Sequence, residues 1–309
     1  MTQLRIGLVG VGLMGHGIAL NLARKGHPLT VLQHPGNQPL DELLALGVGM
    51  ADDVQQLARQ VQVLLLCVTG SPQVEAVLLG SGQAGAGGQG ALAALQPGTV
   101  VIDCSTAIPS STQRVAQAVQ AAGGHFLDAP MTRTPREARE GRLNLLVGGD
   151  AAVLARCQPL LECFAENITH TGPVGTGHRM KLLHNYVSLG SVALIAEAAA
   201  CALDAQVAPE VFVQVLAKGG GAGIALERLR PFLIEQDASA LRFAMGNALK
   251  DLGYYTTMAE DGQAASTIAE AVRATYAQAV QQGGAEALVP QLVENLRKKG
   301  HFPASGHGE

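Results

Sequence analysis

Three glycines near the start of the chain have the spacing that a dinucleotide-binding turn requires. Gly10, Gly12 and Gly15 form a GxGxxG pattern between an apolar segment, residues 5–9, and a helix-periodic segment, residues 13–25. The first glycine of such a turn allows a tight bend, the second lets the backbone approach a pyrophosphate, and the third lets helix and strand pack closely. A purely structural turn without a ligand is the alternative. The helix start attracts phosphate, so we predict cofactor contacts from Gly10, Val11, Gly12, Leu13, Met14 and Gly15.

The residues after the second predicted strand bear on the choice of dinucleotide. A carboxylate there is typical of NAD binding, and a nearby arginine is typical of NADP binding. Residues 33–37 (QHPGN) contain neither. Gln33 does not repel a 2′-phosphate, and His34 or Asn37 could contact one. We predict NAD or NADP as the cofactor, with a slight preference for NADP, and place Gln33 and His34 among its contacts.

A lysine in the second half of the chain has partners at helical spacing. Lys181, Asn185 and Ser188 fall on one face of a helix predicted over residues 181–205, so they could point into one cleft. A cation near a helix start opposes the helix dipole, which makes this position unfavourable unless the lysine has a role. A solvated lysine is the alternative. A lysine with a pKa near ~10.4 is a poor base, so burial or a neighbouring cation such as Lys250 would have to assist it.

The elements that must position these residues change in type along the chain. Up to about residue 172, short apolar runs alternate with helical patterns, which predicts a parallel sheet with strands at 5–9, 29–32, 61–68, 99–103 and 126–129. Residues 110–112 are predicted to cap a helix that ends near 123–124. From residue 175 the sequence is alanine-rich and helix-periodic. The predicted fold is α/β, with an N-terminal Rossmann-type doubly wound parallel sheet (residues 1–174) followed by an all-α domain (residues 175–309). That second domain is expected to serve substrate binding and oligomerisation and to begin with a long interdomain helix.

Composition excludes several classes of function. The 309 residues are 48% hydrophobic and 15% charged, which is enough to form two domains that each have a hydrophobic core. The net charge is −4 and the sequence has no basic cluster, which argues against nucleic-acid binding. No uninterrupted apolar run reaches about 20 residues, so no membrane partner is predicted. The nine histidines lack ligand spacing, and no metal is predicted. The five cysteines form no CxxC pair and are predicted to be buried in a reducing, cytoplasmic compartment. A glycine-dense surface loop is expected at residues 80–90 and a frayed tail at 303–309.

Four blocks together resemble the β-hydroxyacid dehydrogenases, the family of 3-hydroxyisobutyrate dehydrogenase, over nearly the whole length. They are residues 10–26, 103–106 (DCST), 128–149 (DAPMTRTPREAREGRLNLLVGG) and 175–185 (GTGHRMKLLHN), followed by 250–252 (KDL). The resemblance implies that Lys181 is catalytic, that Asn185 and Ser105 contact substrate, and that the protein is a homodimer or homotetramer. We place Ser188 with the substrate contacts. Further cofactor contacts are predicted from Val68, Thr69, Thr106 and Lys250.

One block departs from most of the family. Thr132-Arg133-Thr134 replaces a Ser-Gly-Gly whose backbone amides hold the substrate carboxylate. A similar Gly-Arg-Thr occurs in the sulfolactaldehyde reductases of this family, where the arginine binds a sulfonate. Asn185-Tyr186 also resembles that branch. Thr132 and His184 differ from it, because the branch has glycine and asparagine at those positions. An arginine fork binds anions through paired hydrogen bonds, so we predict a small anionic substrate held by Thr132, Arg133 and Thr134. The alternative is an ion pair between Arg133 and Glu137.

The activity implied is NAD(P)-dependent hydride transfer between a small anionic β-hydroxy acid, or its sulfonate analogue, and the aldehyde or ketone. Two alternatives remain. Imine reductases share this architecture but generally lack the catalytic lysine. A non-catalytic dinucleotide-binding protein would not need Lys181, Ser105 and Asn185 together.

Overall fold

The computed structural model describes residues 4–80 and 88–297. It divides into two compact units, Met1–Leu182 and Leu183–Glu309. The predicted tail and most of the predicted glycine-dense loop lie outside the described residues. The domain boundary at residue 174 stays a prediction.

A single nine-stranded sheet organises unit 1. Six strands are parallel in the order β3-β2-β1-β4-β5-β6, and the remaining three extend the sheet beyond β6. β8 is antiparallel to β6 and to β7, whereas β9 is parallel to β8. The strands are β1 (Ile6–Val9), β2 (Leu29–Leu32), β3 (Gly49–Ala51), β4 (Val63–Leu66), β5 (Val100–Asp103), β6 (His125–Asp128), β7 (Met131–Thr132), β8 (Leu143–Gly149) and β9 (Ala165–Gly172).

Helices cover both faces of the sheet, as the continuous apolar runs of its strands require. On β4, Val63 and Leu65 belong to one buried cluster, and Leu64 and Leu66 belong to another. This alternation confirms a doubly wound arrangement. The helices of unit 1 are α1 (Leu13–Arg24), α2 (Asp41–Ala45), α3 (Val54–Gln60), α4 (Ser71–Leu79), α5 (Pro109–Ala121), α6 (Pro135–Glu140) and α7 (Ala151–Leu161).

In the described residues of unit 2 the regular elements are all helices, apart from one isolated β-bridge between Ala244 and Leu288. A single buried cluster joins its helices, and at its centre the hydroxyl of Tyr276 donates to the Leu189 carbonyl oxygen at 3.1 Å. The predicted fold class is therefore confirmed. The helices are α8 (Thr176–Asp204, which begins in unit 1), α9 (Pro209–Ala217), α10 (Ile224–Glu235), α11 (Met245–Asp261), α12 (Thr267–Gly283) and α13 (Leu292–Arg297).

Helix α8 is long and apolar enough, by length and composition, to cross a membrane. The core helix of a globular protein meets the same criterion. Two of its polar side chains, His178 and Asn185, are buried and hydrogen-bonded to other parts of the chain. We therefore interpret α8 as a core helix.

Two local predictions were wrong. Helix α5 begins at Pro109 and has no side-chain cap, so the serines and threonine at 110–112 do not cap it. Proline suits the first turn because its missing N–H would have no helical partner there. The cysteines are also not uniformly buried: Cys104, Cys157 and Cys163 are, but Cys201 is exposed and Cys67 is intermediate. Burial raises the pKa of the Cys104 thiol well above its usual range, which keeps that thiol protonated.

Candidate active site

The three glycines of the turn between β1 and α1 differ in what a side chain at each position would contact. Gly10 has a φ of +94°, and a Cβ on it would lie 2.2 Å from the Cys67 carbonyl oxygen. A Cβ on Gly15 would lie 1.9 Å from the Gly10 carbonyl oxygen, so close packing of helix on strand excludes any side chain there. A Cβ on Gly12 would meet nothing within 4 Å. The open space beside Gly12 is available to a ligand.

The start of α1 suits an anion. Its N-cap is Gly12, no side chain caps it, and its first turn contains no acidic residue. Amide groups at such an end lack helical partners and carry a partial positive charge. Leu13 is 65% exposed, whereas Val11 is fully buried and its N–H donates to Asn37 Oδ1 at 3.2 Å. The residues present therefore fit the diphosphate of a dinucleotide, although the Val11 amide has a partner within the chain.

Gln33 and His34 lie exposed after β2, at the position predicted for adenosine contacts. The Nδ1 of His34 accepts from the Gly36 N–H at 3.0 Å, which fixes the imidazole against its own loop. Asn37 donates to the Leu32 carbonyl oxygen at 3.0 Å and accepts from the Val11 N–H at 3.2 Å, so it ties this loop to the end of β2 and to the glycine turn. Asn37 therefore stabilises this loop through hydrogen bonds within the chain.

Ser105 lies at the carboxyl edge of the sheet, directly after β5. Its hydroxyl accepts from the Val68 N–H at 3.0 Å, and its own N–H donates to Asp103 Oδ1 at 2.9 Å. Ser105 therefore joins the ends of two neighbouring strands. Of the other predicted contacts at this edge, Thr69 is exposed and Thr106 is partly buried.

A buried carboxylate that the sequence analysis did not single out fixes the beginning of α8. Asp128, the last residue of β6, is fully buried; its Oδ1 accepts from the Gly175 N–H at 2.7 Å and its Oδ2 from the His178 N–H at 2.9 Å. These amides belong to the unsatisfied donors at the helix start, so the carboxylate binds both their hydrogens and the positive end of the dipole. Lys181 follows in the second turn and is partly buried.

In unit 2, Asn185 belongs to a second buried carboxylate cluster. Its Nδ2 donates to Asp251 Oδ2 at 2.7 Å, and its Oδ1 lies 3.0 Å from His184 Nδ1. Lys250 pairs with Asp251 Oδ1 at 3.1 Å and lies over the Tyr254 ring, 5.3 Å from its centroid. Asp251 therefore holds two predicted site residues, and its place in the KDL block was the signal for it. Ser188 is partly buried one turn after His184.

Arg133 has an unusual backbone and a partner that was not predicted. Its φ is +82°, in the left-handed region that favours glycine. Its guanidinium contacts the carboxylate of Glu166 and the carbonyl oxygen of Arg142. The expected alternative partner was wrong, because Glu137 instead caps α6, accepting from the Thr134 N–H at 3.0 Å. The neighbouring Thr132 hydroxyl lies 3.2 Å from Asn144 Nδ2.

The described residues contain no group of three or more His, Cys, Asp or Glu side chains that could hold a metal ion.

Comparison with known proteins places this arrangement in a class. Residues 5–172 match the model of the NAD binding domain of 6-phosphogluconate dehydrogenase, and residues 175–296 match that of the NAD-binding domain of NADP-dependent 3-hydroxyisobutyrate dehydrogenase. The fold and the glycine turn thus define an NAD(P)-dependent dehydrogenase. NAD or NADP is its cofactor.

Individual relatives narrow the class to a family. The chain is 34% identical to 2-hydroxy-3-oxopropionate reductase of Escherichia coli over 224 residues, 72% of this chain and 74% of the relative. It is 29% identical to 3-sulfolactaldehyde reductase of Escherichia coli over 94% of this chain and 95% of that one. The crystal structure of 3-hydroxyisobutyrate dehydrogenase from Salmonella typhimurium superposes with a TM-score of 0.80 at 25% identity, covering 94% and 99% of the two chains. The chain belongs to the β-hydroxyacid dehydrogenase family.

Proposed function

We propose that the protein interconverts a small anionic β-hydroxy acid, or its sulfonate analogue, and the corresponding aldehyde or ketone. The observation that carries this proposal is the position of Lys181 on a helix whose first turn is fixed by Asp128 at the carboxyl end of β6. Ligands of open α/β sheets bind at that edge. Support comes also from the relatives, whose named substrates, 2-hydroxy-3-oxopropionate and 3-sulfolactaldehyde, are both small anionic carbonyl compounds.

Each proposed residue has a chemical task. When bound, the nicotinamide supplies or accepts the hydride. During reduction, the Lys181 ammonium gives a proton to the substrate oxygen and stabilises negative charge developing there; during oxidation, its neutral amine takes the hydroxyl proton. Arg133, with Thr132 and Thr134, holds the anionic group. Ser105, Asn185 and Ser188 complete the substrate contacts.

We further propose NADP as the preferred cofactor. Support comes from residues 33–37, which place no carboxylate where a 2′-phosphate would lie and leave Gln33 and His34 exposed. The glycine turn, Val68, Thr69, Thr106 and Lys250 remain the proposed contacts to the rest of the dinucleotide. Because a dinucleotide of either kind is accepted by this fold, initial rates with both cofactors test the preference directly.

We propose a cytoplasmic homodimer or homotetramer. Support comes from an apolar stripe along α8 made of Leu183, Val187 and Leu194, which are 37%, 64% and 70% exposed. Their spacing of four and seven residues puts them on one face of the helix. An exposed apolar face on a helix whose other side packs into a core is typical of a protein–protein contact.

A substrate panel tests the activity. It contains 3-hydroxyisobutyrate, 2-hydroxy-3-oxopropionate, 3-sulfolactaldehyde and a cyclic imine, each assayed with NAD(H) and NADP(H) at 340 nm. We expect turnover of at least one anionic substrate and none of a cyclic imine. A dinucleotide that binds but is never turned over would favour the non-catalytic alternative, and imine turnover would favour an imine reductase.

Replacement of Lys181 tests the mechanism. Lys181→Ala should lower kcat by about two to four orders of magnitude, the usual contribution of general acid–base catalysis, while the Kd for the dinucleotide stays unchanged. Arg179→Ala is the matched control, because Arg179 is an exposed cation two residues earlier on the same helix. Near-wild-type kcat in Lys181→Ala would remove the lysine from the mechanism.

A further inference from the structure

The side chain of His178 lies where three parts of unit 1 meet, and it is fully buried. Its Nδ1 is 2.8 Å from Thr112 Oγ1 on α5, and its Nε2 is 3.1 Å from the Ser105 carbonyl oxygen after β5. Its backbone N–H donates to Asp128 at the end of β6. One residue in the first turn of α8 thus bonds to α5, to the residue two positions after β5 and to the end of β6.

The hydrogen bonds restrict how the His178 ring carries its protons. A carbonyl oxygen only accepts, so Nε2 must be protonated to bond with Ser105. The Thr112 hydroxyl can either donate to Nδ1 or accept from it, since it has a second acceptor in the Ile108 carbonyl oxygen at 3.1 Å. The ring is therefore fully bonded whether neutral or charged, and its orientation is fixed in both states.

Two buried carboxylates flank the ring. Asp103 Oδ2 lies 3.8 Å from Nε2, and Asp128 Oδ2 lies 3.9 Å from Nδ1. The Oδ2 of Asp103 is buried without a hydrogen-bond partner. An unpartnered buried carboxylate oxygen is costly, and the N–H at Nε2 of His178 lies 3.8 Å from it. Burial raises the pKa of the Asp103 carboxyl, and His178 is foremost among the influences that lower it.

We propose that His178 is a positioning residue that sets where Lys181 presents its amine. His178 and Lys181 are three residues apart, so they lie on the same side of α8. The ring bonds the Ser105 loop and α5 to the first turn of the helix, and the helix transmits that position to Lys181. A displacement of about 1 Å at a reacting group can lower a rate about 100-fold. This inference rests on the proposed function, because it requires Lys181 to act on the substrate.

A double-mutant cycle on the full chain tests the proposal. kcat is measured for His178→Leu, Lys181→Ala and the double variant. The substrate is 2-hydroxy-3-oxopropionate, unless the wild type turns over another member of the panel faster, in which case that compound is used. We expect His178→Leu alone to lower kcat by about 10- to 100-fold, with the dinucleotide Kd unchanged. In the Lys181→Ala background it should cause no further loss, because a residue that acts through the lysine has nothing left to position.

Two milder variants keep the test valid if His178→Leu does not fold. His178→Gln retains an N–H for the Ser105 carbonyl and should recover part of the kcat. Thr112→Val removes the partner of Nδ1 with little change in shape and should lower kcat several-fold without changing the dinucleotide Kd. His170→Leu is the matched control: His170 also bonds a carbonyl oxygen, that of Gly149 at 2.9 Å, but lies on β9.

The outcomes separate this inference from the function on which it rests. Losses that multiply in the double variant would overturn the positioning role and leave Lys181 catalytic. Wild-type kcat in both Thr112→Val and His178→Gln would also overturn it. Wild-type kcat in Lys181→Ala would overturn both the inference and the proposed mechanism.

Discussion

Arg133 combines an unfavourable backbone conformation with a side chain that is suited to binding an anion. Its positive φ costs a non-glycine residue about 1 kcal/mol or more. The guanidinium side chain is 29% exposed and its partner Glu166 is 46% exposed. An ion pair in that setting contributes only about 0–1 kcal/mol, since water screens it. A substrate anion could therefore displace Glu166 at small cost.

The first prediction at this scale concerns the anion. Arg133→Ala should raise the KM for the anionic substrate by about 10- to 100-fold, the loss expected for hydrogen bonds to a charged group. The dinucleotide Kd should not change. Arg133→Lys should recover only part of the affinity, because an ammonium cannot present a paired fork.

Glu166→Gln is the matched control for that series. It removes the competing charge but keeps the shape, so the KM should fall by at most about fivefold. A flat KM across all Arg133 variants, with only a lower melting temperature, would show that the arginine is structural. The case for a sulfonate-like substrate would then lose its main residue.

Functional residues that belong to a sequence motif could be predicted. Residues whose role depends on tertiary contacts could not. The glycine turn and Lys181 could be identified from spacing and resemblance. Asp128 and His178 could not, because an aspartate after a strand and a histidine near a helix start have many ordinary uses. Only the approach of α5 and two strand ends makes them a cluster. The Arg133–Glu166 contact was equally hidden, since it crosses the start of β8.

At the scale of elements, the sequence predicted five of the nine described strands. The central strands β1, β2, β4, β5 and β6 were predicted within two residues at each end, because strands buried on both faces are continuous apolar runs. Strand β9 was missed because half of its residues are polar and exposed. Strands β3, β7 and the mostly buried β8 were missed as well. The start of α5 was misplaced because two serines and a threonine resemble a cap, whereas the preceding proline begins the helix.

The glycine turn gives a prediction that separates binding from folding. Gly12→Ala places its methyl group in open space, so the melting temperature should stay within about 2 °C of wild type, while the dinucleotide Kd should rise by about tenfold or more. Gly15→Ala should instead lower the melting temperature by about 3–10 °C, because its Cβ meets the Gly10 carbonyl oxygen. Calorimetry and dinucleotide titration measure both effects. Equal loss of stability in the two variants would contradict an open space beside Gly12.

At the scale of the whole molecule, the exposed stripe on α8 should determine assembly. Light scattering at micromolar concentration should give a mass of two or four times the 31.8 kDa of one chain. Leu194→Glu should shift the protein towards the monomer, because burying a carboxylate in an apolar contact is unfavourable. Leu46→Glu, which changes an exposed leucine of unit 1, is the control. A monomer for the wild type would refute the proposed assembly.

The strand order also has a consequence for biosynthesis. Of the strands in this sheet, β1 is made first, and it lies inside the sheet with β2 and β4 as its neighbours. Each later strand from β2 to β6 pairs with one that the ribosome has already released. A nascent chain can therefore extend the sheet outward in both directions as it emerges, which limits the time that apolar strand edges spend unpaired. Apart from β1 itself, β7 is the one described strand that pairs only with a strand made after it.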